Sequence, residues 1–327
     1  MTCTTPTPRA RALALLLASA LAGCQSIGQT VRQAVDPAEV ANQQMERDQM
    51  MAQLRKREAA EAEASPMTFE QAMTEGDQLL RAGNSEKAVL RYLRAMRLDG
   101  ASEAPRLRVG FMHLQARAPS QAETAFLSAL EREPKSVQAH TGLGLARMMK
   151  SEYESARGSL ERAVKLAPKA MEPTLALGVL ADLEGDHERA RAQYQRALAL
   201  DSTNSEVEAN LGASYLLTQE WSSAASHFRR ALQLDPDDLA NYNNLGIALA
   251  RQGRYDEAYG RFKEGGSEAS ALNNLGYMYY LDGNYQRAID VFERALGSNP
   301  PEKLAIIRNL QRAYDARERS ASGALAP

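Results

Sequence analysis

The chain has 327 residues with 39 basic and 41 acidic side chains, a net charge of −2, and this balance offers no overall basic footprint for nucleic acid. Without residues 1–23, which hold two arginines and no acid, 37 bases face 41 acids and the net charge is about −4. The two cysteines, Cys3 and Cys24, leave no internal disulfide once the first segment is shed, so stability must come from packing alone.

Arg9 and Arg11 precede an apolar run from Ala12 to Ala22, followed at once by Gly23-Cys24. Eleven helical residues cover only ~16 Å against ~30 Å of hydrocarbon, so the run reads as a secretory signal and not as a membrane span. The tetrad Leu21-Ala22-Gly23-Cys24 resembles a bacterial lipobox. That resemblance implies cleavage before Cys24, diacylation of its sulfur and acylation of the new amino terminus. Two or three acyl chains anchor stably where one binds only marginally. Gln25 stands where an inner-membrane retention signal places aspartate, so the resemblance implies the outer membrane, facing the periplasm. The alternative is an ordinary signal peptide with a chance cysteine.

Residues 24–66 form the anchor and a tether rich in Gln, Glu, Arg and Ala, without an aromatic residue. Asp36-Pro37 predicts a helix start, with Asp36 as N-cap and Pro37 in the first turn. Val40, Met45, Met50, Met51 and Leu54 keep no heptad, which fits a solvated, partly helical spacer. A partner-binding or self-associating helix is the other reading.

Residues 67–302 carry a repeat. Gly76, Gly110, Gly144, Gly178, Gly212 and Gly246 follow one another at 34 residues, and Gly276 comes 30 later. Twelve residues after each glycine stands an alanine (Ala88, Ala122, Ala156, Ala190, Ala224, Ala258, Ala288), and four further on a bulky residue (Tyr92, Phe126, Leu160, Tyr194, Phe228, Phe262, Phe292). Pro134, Pro168, Pro236 and Pro300 close four of the units, since proline cannot continue a helix. Two amphipathic helices per unit are predicted, with the bulky residue filling the gap between neighbouring units. A helical glycine costs about 1 kcal/mol relative to alanine, so its recurrence implies that a side chain there would collide with the partner helix. Ala82-Gly83-Asn84, Glu184-Gly185-Asp186, Gln252-Gly253-Arg254 and Asp282-Gly283-Asn284 read as the turns within units. These spacings resemble the tetratricopeptide repeat. The resemblance implies an all-α, right-handed α-solenoid of about seven repeats, which would work as a non-enzymatic protein-binding scaffold.

The sixth unit is short, its second helix ending at Gly265-Gly266, where left-handed capping is expected. The deletion either alters the local twist or is tolerated without meaning. A closing helix from Glu302 to about Arg319 is predicted to seal the array, with residues 303–327 as cap and tail. Its apolar stripe would be Leu304, Ile307, Leu310 and Tyr314, with Arg308, Gln311, Arg312 and Arg317 facing water and Ser320 to Pro327 frayed.

Catalysis, cofactors and metals find little support. His113, His140, His187 and His227 lie on different units, and none has a second histidine or a cysteine at helical ligand spacing. The solitary Trp221 falls at a turn where other units place Tyr153, Tyr255 and Tyr285, and reads as a packing residue.

One row stands out. Asn210, Asn244 and Asn274 each lie two residues before a unit glycine, and Asn309 takes the equivalent place in the closing helix. A carboxamide both donates and accepts, so such a row can pair with the backbone of an extended peptide whatever its side chains. It resembles the asparagine ladder in the superhelix of O-linked N-acetylglucosamine transferases, over the repeats only. The competing reading is that asparagine serves repeat packing. Leu216, Leu217, Ile247, Tyr277, Tyr280 and Leu281 surround the row, with Tyr277 and Tyr280 as binding hot spots or, alternatively, as packing against the short unit. No regular Lys/Arg set is present, and an extended peptide segment of another protein is the predicted partner; no small-molecule substrate is expected.

Lipobox, tether and array together resemble two groups of bacterial envelope lipoproteins. The closer is the TadD family of tight-adherence (Flp) pilus assembly, through the run Asn210-Leu211-Gly212-Ala213-Ser214-Tyr215 and the irregular late units. The other is the pilotin lipoproteins of type IV pili. Both imply an adaptor in pilus or secretion-machinery assembly; scaffolding of peptidoglycan-modifying enzymes is the rival, and an enzyme a remote third.

Overall fold

The computed structural model describes residues 67–297 and 300–321. The signal segment, Cys24 and the tether lie outside the described residues, as do residues 322–327. The described residues hold fifteen α-helices and no strand, in two compact units that divide between Glu184 and Gly185.

The first unit contains α1 (Phe69–Arg81), α2 (Ser85–Leu98), α3 (Ala104–Gln115), α4 (Pro119–Leu130), α5 (Val137–Met149), α6 (Tyr153–Leu166) and α7 (Met171–Glu184), each packed on its successor. The N-terminal end of α1 is fixed by a capping box: the Thr68 hydroxyl accepts from the Gln71 amide, and the Gln71 side chain accepts from the Thr68 amide. The second unit contains α8 (His187–Leu200), α9 (Ser205–Leu217), α10 (Trp221–Leu234), α11 (Leu239–Ala250), α12 (Tyr255–Glu264), α13 (Glu268–Leu281), α14 (Tyr285–Leu296) and α15 (Lys303–Ala321), likewise packed in sequence. Helix α9 also touches α11, α11 touches α13, and α13 touches α15, so these four first helices form one wall.

Five of the repeat glycines, Gly76, Gly110, Gly212, Gly246 and Gly276, are explained by rings, and Gly144 by the Leu160 side chain. A Cβ on Gly110 would lie 2.6 Å from Phe126, on Gly212 2.8 Å from Phe228, and on Gly276 2.7 Å from Phe292, each ring being fully buried. The collision is with the bulky side chain that the partner helix of the same unit brings to the glycine, as expected. The bulky residues also bridge to the next unit as expected: Tyr92 shares a buried cluster with Val109 and Met112, Leu160 with Leu177 and Leu180, and Phe126 covers Gly142.

Every turn inside a helix pair needs one left-handed residue. Gly83, Gly185, Gly253 and Gly283 supply it with φ of 76–83°, and Arg117, Ser151 and Gln219 do the same at 54–62°. The last three turns carry no glycine, which hid them in the sequence. Gly265 and Gly266, by contrast, are not left-handed caps: Gly265 has φ −84°. Its lack of a side chain serves space instead, because a Cβ there would meet the Asn243 carboxamide at 2.9 Å and the Leu239 carbonyl at 3.0 Å.

The closing helix is rotated from the predicted phase. Leu304 and Ile307 are 69% and 45% exposed, whereas Ile306 and Ala313 are fully buried and Leu310 and Tyr314 pack partly against the core. Helix α15 continues the register of the first helices, with Ile306 standing where Ala271 does and Ala313 where Met278 does, and that register chooses the face. The helix also runs on through Ser320 and Ala321.

Candidate functional site

The asparagine row lies on the wall formed by α9, α11, α13 and α15, and its four members do not behave alike. Asn274 Nδ2 donates to Asn243 Oδ1 at 3.2 Å, and Asn309 Nδ2 donates to Asn273 Oδ1 at 3.0 Å. Each of these two asparagines therefore bonds the residue one place before the row in the preceding unit. Asn243 is a hub, since its own Nδ2 also approaches the carbonyls of Leu239 and Gly265 at 3.2 and 3.4 Å. It ties the shortened end of α12 to α11 and then to α13.

Asn244 would need its acceptor at position 209, which is alanine. It makes no side-chain hydrogen bond within the described residues, and neither does Asn210. Both are nevertheless nearly buried, at 9% and 8% exposure. Neither contributes to the buried polar atoms that lack a partner, so what remains exposed of each side chain includes its carboxamide, which is open to a ligand or water. The doubled Asn243-Asn244 and Asn273-Asn274 are the sequence signal for the structural pairs, and the absence of a doublet at Ala209-Asn210 is the signal for the open one.

Aromatic residues continue the wall. Tyr277 and Tyr280 are half-buried and stacked with ring centroids 6.0 Å apart, and Tyr280 meets Tyr285 at 5.8 Å. Burial raises the Tyr277 hydroxyl above its ordinary range, while the nearby Arg312 guanidinium works in the opposite direction. Ile247, Tyr277, Tyr280 and Leu281 all rest against the core of this unit, so packing and exposure coexist in the same side chains. Leu216 is buried and Leu217 half-buried.

Other polar groups of this unit are consumed in fixing helices. His227 Nδ1–H donates to the buried Glu208 carboxylate at 2.7 Å and its ring stacks on Tyr215 at 5.3 Å, with Arg191 on that ring at 4.8 Å. Trp221 lies under Arg251, whose guanidinium bonds Asp282, and the Tyr255 hydroxyl donates to the same carboxylate at 2.6 Å. His140 Nε2 approaches the Pro134 carbonyl in the first unit. Among the described residues no three His, Cys, Asp or Glu side chains gather as metal donors, and no helix is long and apolar enough to cross a membrane.

Models of the tetratricopeptide repeat match residues 113–170, 150–205, 205–238, 227–259 and 269–300, more than half of the chain. The chain belongs to the tetratricopeptide repeat family. No curated protein matches it by sequence. Among solved structures it is similar to a tetratricopeptide repeat protein from Parabacteroides merdae ATCC 43184, at 16% identity over 75% of this chain and 98% of that one, TM-score 0.55. The APC/C hetero-tetramer Cut9–Hcn1 matches at 20% identity over 80% of this chain and 52% of that one, TM-score 0.58. Pseudomonas aeruginosa pilF matches at 20% over 64% and 98%, TM-score 0.51. At these identities the likeness is one of fold. Tetratricopeptide repeats are protein-interaction scaffolds, and the array has that character here.

Proposed function

We propose that this tetratricopeptide repeat protein is a lipid-anchored adaptor of the bacterial outer membrane, holding an extended peptide segment of a partner during pilus or secretion-machinery assembly. The observation that carries the binding site is the pair Asn210 and Asn244: two closely packed residues whose carboxamides make no internal hydrogen bond and stay accessible, on the wall that Tyr277 and Tyr280 extend. Asn274 and Asn309 continue the row beyond Asn244 with one N–H each already used. The anchor rests on Leu21-Ala22-Gly23-Cys24, and the assembly role on the resemblance to pilus lipoproteins.

Two measurements test this reading. Cells fed an alkyne-bearing fatty acid should label the wild type and not Cys24→Ser, which should also remain uncleaved. Mature wild type found soluble and free of acyl mass removes the anchor. A photo-crosslinking phenylalanine analogue at the half-buried Tyr280 should capture an envelope protein, and Asn210→Ala with Asn244→Ala should lower the yield without loss of helicity, because alanine is the better helix former. A pilin, secretin or secretion ATPase in the adduct supports the assembly role, and a peptidoglycan enzyme supports the rival. Unchanged capture by the folded double variant moves the site elsewhere.

A further inference from the structure

The wall has charges at its two ends that the protein itself does not use. Glu206 stands one helical turn before Asn210 on α9, hence on the same face. The residue is exposed although the surrounding chain partly screens its carboxyl, and it has no hydrogen bond or ion pair among the described residues. Burial by the surrounding chain raises its carboxyl above the ordinary range, with no cation to oppose the shift. At the other end, Arg312 takes on α15 the place that Tyr277 takes on α13, and Arg308 the place of Asn273. Both are exposed. Arg312 has no partner among the described residues, and Arg308 donates only to the Leu304 carbonyl at 3.3 Å. Neighbouring charges differ: Glu208 bonds His227 and Arg251 bonds Asp282. Between the ends the wall presents neutral groups, Asn244, Ile247 and Tyr277.

Packed helices lie about 10 Å apart, so three steps from α9 to α15 span roughly 30 Å, the length of about nine extended residues at ~3.3 Å each. We infer that the occupant of this wall is an extended protein segment of about nine residues with a cationic side chain at the Glu206 end and an anionic one at the Arg308–Arg312 end. This inference rests on the reading that Asn210 and Asn244 hold a peptide backbone, and it adds the register and the charge pattern of the segment. Carboxamides bind a backbone without regard to sequence, so the end charges supply the selectivity.

The probes are four pools of fluorescein-labelled nonapeptides with blocked termini, Lys-X7-Glu, Glu-X7-Lys, Lys-X7-Lys and Glu-X7-Glu, where X is a mixture of neutral residues. Anisotropy titrations should show the two mixed-charge pools binding about five- to tenfold tighter than the like-charge pools at low salt, as expected of two solvent-open ion contacts, with the advantage shrinking at high salt. Glu206→Lys should turn the preference to Glu-X7-Glu, and Arg308→Glu with Arg312→Glu to Lys-X7-Lys. All three residues are exposed, so these variants should keep wild-type helicity. Pools that rank alike for wild type and swapped variants overturn the charge pattern, and so does the absence of binding by any pool. If Asn210→Ala with Asn244→Ala then weakens all four pools equally, the peptide site stands and only the charge pattern falls. If that double variant changes nothing, both readings fall together.

Discussion

Replacing Gly246 by alanine sets two known effects against each other. Gly246 lies inside α11, where alanine improves helix stability by about 1 kcal/mol. Its Cβ, however, would lie 2.5 Å from Phe262 Cε1 and 2.6 Å from Cδ1, about 1 Å inside normal carbon contact, against a fully buried ring. Overpacking of this kind costs about 1–3 kcal/mol, so the net expectation for Gly246→Ala is a loss of about 1 kcal/mol. Gly158 in α6 is the control: it is exposed, nothing lies within 4 Å of its added Cβ, and Gly158→Ala should gain close to 1 kcal/mol. Because repeat arrays need not unfold all at once, native-state hydrogen exchange of the amides in each helix is the proper assay. The ring is identified as the cause by a double-mutant cycle: once Phe262→Ala has removed it, Gly246→Ala should become stabilising. A Gly246→Ala loss of the same size in both backgrounds would falsify the ring explanation.

Truncation before Glu302 should uncover Phe292 and Ile289, which Ile306 and Ala313 of α15 join in one buried cluster; exchange should show α14 losing protection first, and a uniform loss across the second unit would refute nearest-neighbour stabilisation. Gln219→Gly should stabilise by roughly 0.5–1 kcal/mol by relieving a φ of 62°, whereas Gly253→Ala, at φ 79° with open space around it, should cost about 1 kcal/mol; equal effects in urea titrations would contradict the left-handed turns. The Tyr255 hydroxyl is pushed up to about 12 by burial and by its hydrogen bond to Asp282. A folded value above the unfolded one of about 10 means that its contribution is complete below pH 10 and is lost as pH rises through about 12. The advantage of wild type over Tyr255→Phe in denaturant midpoint should therefore shrink over that window, and a constant difference would dismiss the linkage.

The architecture was legible because each unit repeats the same packing problem. A glycine sixteen residues before a bulky residue, solved seven times, announces two helices and their contact. What escaped was set by geometry between units. Arg117, Ser151 and Gln219 adopt the turn conformation of glycine without its side-chain signature. The apolar residues of α15 offered two faces, and only continuation of the register decided that Ile306 and not Leu304 is buried. The asparagine row was visible as a row, but its division was not: whether a carboxamide is spent inside the protein depends on the residue at one place earlier in the preceding unit.

That dependence allows the division to be moved by one substitution. Asn274 is satisfied because Asn243 offers an oxygen 3.2 Å away, and Asn309 because Asn273 does so at 3.0 Å. Asn244 faces Ala209 at the equivalent place, so Ala209→Asn supplies the acceptor that this unit lacks. The new bond should contribute about 1 kcal/mol, offset in part by the lower helix propensity of asparagine, leaving stability unchanged or slightly raised. Binding should respond in the other direction: with one N–H of Asn244 turned inward, an extended peptide loses a hydrogen bond worth about 1 kcal/mol, or roughly fivefold in affinity. Anisotropy titration of the Lys-X7-Glu pool beside a urea titration reads both consequences. A stabilised variant that binds as tightly as wild type would show that the Asn244 carboxamide takes no part in holding the peptide.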